Sequence, residues 1–408
     1  MKKALLLSVV ASSMIMAGGD IAPVEPAVET PAPAVSGWEF SGTGVVYYQT
    51  SDTFVGTVAA LNGVTGGDLF DQDMSFADFG LQLRATNSDL IAGIGAGVEV
   101  SGLSTLNLEN WMVSDVMQGT GALGDVDDVT GGGWISQMYL TYGFGNTSIK
   151  AGRQELPKAL SPFAYSEKWN VFSNTFDSVL VVNTDLPDTT LVGAWVAGAN
   201  YNAMGATKNI TDFNSLNGDD GVYMLTAQNK SIANLTLTGS VYYGADMAGT
   251  DDTVIWWGDA AYDASSFNVA IQGGTDDDMT AFGAKVGTEF SGVNLMAAYS
   301  TVADKAMYQL GGKTSALYTT TVINQLEDQG VEEDKFVVGA GVDVLGGNIS
   351  AAYAYTDNTT EANEFDNEFD LVYGTNVAGI DVTAAYVYYD KDGSDAANVV
   401  RVVLGYNF

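Results

Sequence analysis

The residues best placed to act on a solute are six charged side chains in one short span: Lys150, Arg153, Glu155, Lys158, Glu167 and Lys168, in or just before GRQELPKALSPFAYSEKWNVF at 152–172. Elsewhere the chain is strongly acidic, with a formal net charge of −35, so this concentration of cations needs a reason. Ordinary exported hydrolase chemistry is excluded. The chain has no histidine and no cysteine, and so no Ser-His-Asp triad, Cys-His pair or HExxH zinc site. No catalytic residue and no cofactor are expected. What opposed fixed charges can do, in a narrow and poorly screened gap, is set up a field that sorts solutes by charge and dipole.

Such charges need a scaffold that holds them face to face. Pro157 and Pro162 stiffen their own segment, and Phe163, Tyr165, Trp169 and Phe172 give it apolar surface. A loop so built folds inward against a wall rather than extending into solvent. The wall is legible as strands. In GWEFSGTGVVYY, Trp38, Phe40, Val46 and Tyr48 share one face while Glu39, Ser41 and Thr43 share the other; DFGLQLRA, NLTLTGSVYYG and GIDVTAAYVYY alternate in the same way. About eighteen such segments run from 38–50 to 397–408, near the length that crosses an outer membrane at a tilt. Sixteen is the alternative count, because 275–278 is short for an outer loop.

Connections alternate long and short. Long Gly-, Asp- and Asn-rich stretches follow odd strands, and short links such as 87–89, Gly145-Asn146, Ser291 and Gly346 follow even ones. This predicts an all-β fold: a transmembrane antiparallel β-barrel with short periplasmic turns, long outer loops and the third loop folded into the pore. The apolar face meets lipid and the small, polar face lines a wet lumen. Alternation sends Lys150, Arg84, Lys285 and Arg401 inward, and the third loop is expected to add Arg153, Glu155, Lys158, Glu167 and Lys168 at a constriction. Trp38, Tyr142, Tyr386 and Tyr388 suit the membrane interfaces, while Tyr47 and Tyr139 fall on the lumen side. In the last strand, NVVRVVLGYNF, Tyr406 and the terminal Phe408 share the apolar face and form an expected signal for the outer-membrane assembly machinery.

Residues 1–17, with Lys2 and Lys3 before an apolar run, read as a cleaved signal peptide of a Gram-negative outer-membrane protein; 18–36 is a Pro/Ala/Glu-rich linker and 37–408 the barrel. Nucleic acid is excluded as a partner, because phosphate contacts need clustered cations. Lipid, lipopolysaccharide and small hydrophilic solutes are the expected partners. Acidic clusters at Asp125-Asp127-Asp128, Asp219-Asp220, Asp276-Asp277-Asp278 and Glu332-Glu333-Asp334 read as solvated loop tips, with weak Ca²⁺ binding as the second reading. Gly311-Gly312-Lys313-Thr314 has the end of a phosphate-binding loop but Met307 where its first glycine belongs. An acidic, Ca²⁺-crosslinked surface-layer protein is the alternative from another class. It explains the charge and the leader but not the loop alternation or Phe408.

GGDIAPVEPAV after the leader, GRQELPKALSPFAYSEKWNVFSNTFDSVLVVNTDLPDTTLVGAWVAGA, and GGKTSALYTTTVIN at 311–324 resemble the major outer membrane porins of campylobacter-like bacteria. The resemblance implies an eighteen-strand barrel, often a homotrimer, that passes small hydrophilic solutes with a preference for cations. It is also similar in architecture to the more substrate-selective OprD-type channels, which keeps a selective channel as the reading within transport.

Overall fold

A computed structural model of the chain describes residues 37–53, 67–71, 74–104, 131–168, 171–200, 213–247, 251–276, 278–305, 310–312, 314–323, 332–358, 365–391 and 395–408, with 106 and 307 singly. The expected leader, the linker, Trp169, Lys313 and the Asp125-Asp127-Asp128 and Asp277 positions lie outside the described residues.

The strands, in chain order, are β1 (Glu39–Ser51), β2 (Ser75–Ile91), β3 (Ile94–Ser104), β4 (Gly131–Phe144), β5 (Thr147–Gln154), β6 (Phe176–Asn183) and β7 (Thr189–Ala199). A two-residue piece, β8 (Asn214–Ser215), pairs only with the end of β7. Then come β9 (Val222–Ile232), β10 (Leu235–Met247), β11 (Asp251–Ala264), β12 (Phe267–Thr275), β13 (Thr280–Phe290) and β14 (Val293–Ala303). The last five are β15 (Glu333–Val344), β16 (Gly347–Asn358), β17 (Phe365–Val377), β18 (Ile380–Lys391) and β19 (Ala397–Asn407). Leaving β8 aside, eighteen long strands each pair antiparallel with their neighbours, and β1 pairs with both β2 and β19, so the sheet is a closed ring. The sixteen-strand count is set aside because β12 and β13 are separate strands paired along their length from Phe267↔Thr288 to Thr275↔Thr280, with Asp276 N donating to Met279 O at 3.1 Å just beyond.

Directly paired residues share a face, so register and exposure together orient the wall. Leu81, Leu83, Leu140, Leu225, Ile271, Val286, Phe336 and Val338 are exposed on the outer side. Their sequence neighbours point inward. Four short hairpins turn on an X-Gly pair with positive φ at both positions: Ala92-Gly93, Ser291-Gly292, Leu345-Gly346 and Ala378-Gly379. That is the backbone shape whose twist matches two antiparallel strands. The expected turn at 87–89 is displaced. β2 continues to Ile91 across a register shift after Asn87, whose Oδ1 accepts from Asp89 N at 3.0 Å, and the chain reverses at Ala92-Gly93 instead.

The seam between the first and last strands carries its own packing. Gly42 N donates to Phe408 O at 2.8 Å and Phe408 N to Gly42 O at 3.0 Å. The Phe408 ring lies where a Cβ on Gly42 would sit, and it stacks on Tyr406 at a centroid distance of 6.0 Å. The glycine is the socket for the terminal aromatic. Gly42→Val displaces that ring and Phe408→Ala removes it, each at a cost of about 1–3 kcal/mol. Both lower the temperature at which the folded band on an unboiled gel converts to the unfolded one. Because they act on one contact, the double variant melts no lower than the worse single variant; additive losses would mean that the ring and the glycine act separately.

Candidate functional site: the lumen and its two inward loops

The loop between β5 and β6 folds into the barrel. Leu156, Leu160, Phe163 and Ala164 are buried in one cluster with inward-facing Tyr242, Ile255 and Trp257 from β10 and β11. The Phe163 ring meets Tyr242 edge-on at 5.4 Å and Trp257 at 5.1 Å, geometries that aromatic pairs favour. The Tyr242 hydroxyl accepts from Phe163 N at 3.2 Å. Further on, Val171 and Phe172 pack with Tyr47, Leu103 and Trp134, so the same loop is fastened at β10–β11 and again at β1–β4. The apolar residues of this loop meet the wall on two sides of the lumen.

A second segment, 310–323, also lies inside, and the sequence reading did not place it there. Tyr318 donates to Asp259 of β11, Thr319 Oγ1 and Ser300 Oγ of β14 are hydrogen-bonded at 2.5 Å, and Leu317 is fully buried beside Gly283. It is tied to the first loop as well. Lys158 Nζ donates to Ser315 O at 3.2 Å, Tyr165 OH to Ser315 O at 3.1 Å, and Leu310 N to Phe163 O at 2.9 Å. Burial, reinforced by the Glu167 carboxylate, pushes the Tyr165 phenol well above its ordinary range, so it stays a donor. Burial and Asp259 do the same for Tyr318. The Gly311-Gly312-Thr314 turn holds an anion after all, but the chain's own: Glu167 Oε1 accepts from Thr314 N and from Thr314 Oγ1, both at 2.6 Å. A Cβ on Gly312 would collide with that carboxylate.

The charged residues expected in the lumen divide into several environments. Lys150 points inward with its ammonium 3.8 Å from the centroid of the Tyr139 ring. Lys158 lies 4.9 Å over Tyr165, Lys285 4.4 Å over Tyr318, and the Arg401 guanidinium 5.6 Å over Tyr47. Four inner cations thus lie against tyrosine faces, whose quadrupole attracts them. Arg401 Nε also donates to Gln49 Oε1 at 3.0 Å. Arg84 is paired with Glu99 at 2.9 Å and feels Glu155 electrostatically. Lys168 is exposed on the loop. Glu167 is only 3% exposed and faces the second loop, so it joins loops rather than presenting a charge to passing solute.

Arg153 is a correction. β5 runs on through Gln154, so strict alternation from Lys150 carries Arg153 to the outer face, opposite exposed Met138 and beside Asp177. There it is fully engaged. Its Nε and Nη2 donate to the Asp177 carboxylate at 2.9 and 3.1 Å, Nη1 donates to Ile135 O at 3.0 Å, and the Phe213 ring covers the guanidinium at 3.2 Å. At the outer end of the strand this pair borders a shallow depression of about 440 Å³ lined also by Ile135, Met138, Val179 and Trp195.

Several inner carboxylates escaped sequence reasoning. Glu99 accepts from Arg84, Gln82, Ser136 and Gln137. Glu368 and Asp370 of β17 receive the far end of the second loop, and fully buried Lys335 of β15 lies with them. The signal for the first two was present: Asp366, Glu368 and Asp370 recur at every second position of β17, three like charges on one face. Lys335 was not among the cations that alternation assigned to the lumen, yet as the third residue of β15 it points inward and is fully buried. Among the described residues no group of three or more carboxylates is arranged to hold a metal ion.

No protein-family model matches the chain, and no curated protein matches it by sequence. Solved structures do match the fold over almost its whole length. OccK8 (OprE) of Pseudomonas aeruginosa is 16% identical with a TM-score of 0.69, covering 92% of this chain and 99% of its own. OpdK, an outer membrane protein of P. aeruginosa solved with vanillate, is 14% identical with a TM-score of 0.71, covering 92% and 100%. OccAB3 of Acinetobacter baumannii is 12% identical with a TM-score of 0.69, covering 91% and 99%. The chain's closed eighteen-strand barrel therefore has the same fold as these OccK8, OpdK and OccAB3 structures.

The docking of the first loop is testable apart from transport. Phe163→Ala removes a buried ring from between Tyr242 and Trp257 at a cost of roughly 3–5 kcal/mol, which releases the loop while the barrel stays folded. Trypsin then cuts the folded protein after Lys158, a bond the docked loop shields in the wild type. Equal protection of Lys158 in both proteins would refute the docking.

Proposed function

We propose that the protein is a passive outer-membrane porin for ions and small hydrophilic solutes, with a cation preference and a mixed-charge constriction. The observation that carries this reading is a closed barrel with an apolar outer wall whose polar, charged interior is narrowed by two fastened loops. Lipid facing the wall, lipopolysaccharide at the outer rim, delivery by the outer-membrane assembly machinery and a homotrimeric state belong to the same proposal, supported by the leader, by Tyr406 and Phe408, and by the resemblance to campylobacter-like porins. The likeness in fold to OpdK, an outer membrane protein, supports the location.

Charge decides the preference. The net charge of −35 enriches cations around the mouth, the more so at low salt, where screening is weak. The inner cations that oppose this are few: Lys150, Lys158, Lys285 and Arg401 are held against tyrosine rings that leave their charge intact, while Arg84 is offset by Glu99. A substrate-selective channel is the second reading, favoured by the narrowing from two fastened loops and by the fold shared with OpdK, solved with vanillate. Stepwise block of the current by an aromatic carboxylate would support it.

The deciding experiment is planar-bilayer conductance of the refolded barrel, with the zero-current potential read across a KCl gradient. Stable open steps with a cation-selective potential are expected, and folded, inserted protein that does not conduct would sink the porin reading. Lys150→Gln increases the cation-to-anion permeability ratio by about twofold, since it deletes an inner cation. Arg153→Gln leaves the ratio unchanged, because that side chain faces outward; a shift as large as that of Lys150→Gln would place Arg153 in the ion path.

A further inference from the structure

The inner segment 310–323 is suspended at both ends from carboxylates that belong to other parts of the chain. Near its start, Glu167 takes the Thr314 amide and hydroxyl. At its end, Glu368 accepts from Ile323 N and from Thr321 Oγ1, both at 2.7 Å, and Asp370 accepts from Val322 N at 3.2 Å. Lys335 Nζ donates to the same Thr321 hydroxyl at 3.3 Å. Glu167, Glu368 and Asp370 are each 3% exposed or less. A carboxylate held out of water forms strong bonds to backbone N–H groups, and an amide that loses such a partner while still buried is costly.

Between the two suspensions the segment touches the wall at neutral or mutually satisfied contacts. Thr319 meets Ser300, Tyr318 meets Asp259, and Gln272, with its amide turned to satisfy both groups, donates to Ala316 O and accepts from Tyr318 N. The middle of the segment also masks charge. Tyr318 occupies the Asp259 carboxylate, and its ring lies under Lys285. Whether Asp259 and Lys285 meet solute therefore depends on whether both ends of the segment are held.

We infer that Glu167 and Glu368 are positioning residues that hold 310–323 as a two-point strap across the lumen, and that this strap sets both the width of the pore and the exposure of Asp259 and Lys285. The inference rests on the porin reading for its consequence, but not for its geometry. The two carboxylates come from opposite directions. Glu167 lies in the loop after β5 and Glu368 on β17, so the strap ties the third outer loop to the far wall. The start of the strap is also tied by Leu310 N to Phe163 O and by Lys158 and Tyr165 to Ser315 O, so loss of one carboxylate loosens its end of the strap and loss of both loosens the two ends together.

Two readouts test it. In the bilayer, Glu167→Ala and Glu368→Ala each raise single-channel conductance by about twofold and shift the zero-current potential, as expected when a constriction opens and new charges meet the solution. Glu167→Gln keeps an acceptor for the Thr314 amide and restores conductance most of the way to wild type. Hydrogen exchange follows the strap without transport: the Thr314 amide exchanges on the order of tenfold faster in Glu167→Ala, and the Ile323 amide by a similar factor in Glu368→Ala. All variants are first shown to be folded by heat-modifiable gel mobility. Conductance and exchange both unchanged in the two alanine variants would overturn the strap while leaving the porin reading intact. A wild type that never conducts would end the porin reading, and the exchange data alone would then decide the strap.

Discussion

Everything in this molecule depends on the rule that a backbone polar group in hydrocarbon must find its partner within the protein. A sheet satisfies all its strands except the two at its edges, and in lipid those edges have nowhere to turn. The chain resolves this by pairing β1 with β19 from Thr43↔Asn407 to Ser51↔Val399. Once the ring is closed, alternation does the rest. Every second side chain is committed to lipid and every other one to the lumen, and a single sequence encodes two surfaces of opposite character.

The interior then has a problem of its own. A ring of eighteen strands is too wide to fill with wall side chains, and this chain fills it with loops. The two inward segments bring apolar residues such as Phe163, Phe172 and Leu317 into a lumen lined with hydroxyls, amides and charges. They are held there by a mixture of aromatic packing and carboxylate anchors. The cations are handled economically. Each of four lies over a tyrosine, a partner that steadies a positive charge without cancelling it. Arg84 is held by the Glu99 carboxylate.

The strands were legible because lipid imposes a period of two on every one of them, with few exceptions to blur the count. Boundaries shifted only where the pattern was locally silent, as in the polar Asn-Ser-Asp run at 87–89 that β2 carries through to Ile91. The third loop was readable too, since prolines and aromatics in a long connection have few other uses. The strap was not. Nothing local in GGKTSALYTTTVIN says which wall it will meet, because its partners Asp259, Ser300, Glu167 and Glu368 come from four distant places in the chain. Arg153 shows a different limit: parity would have placed it, yet a charge on the lipid side is credible only once Asp177, Ile135 O and Phe213 are seen around it.

The seam has a temporal meaning as well. Apart from the β1–β19 pairing, the long strands are each bonded to those next to them in sequence, across connections that range from two residues to a few tens. The Thr43–Asn407 contact spans 364 residues. Hairpins can therefore form and stack in order as the chain becomes available, whereas the final joint waits for β19. Closure entropy grows only with the logarithm of that span, so the delay is not a thermodynamic burden. It is an exposure: until β19 arrives, the growing sheet carries two bare edges, each able to pair with a neighbouring chain. A barrel wired this way has a built-in completeness check, since a chain that stops short of its last strand has no means of hiding its first.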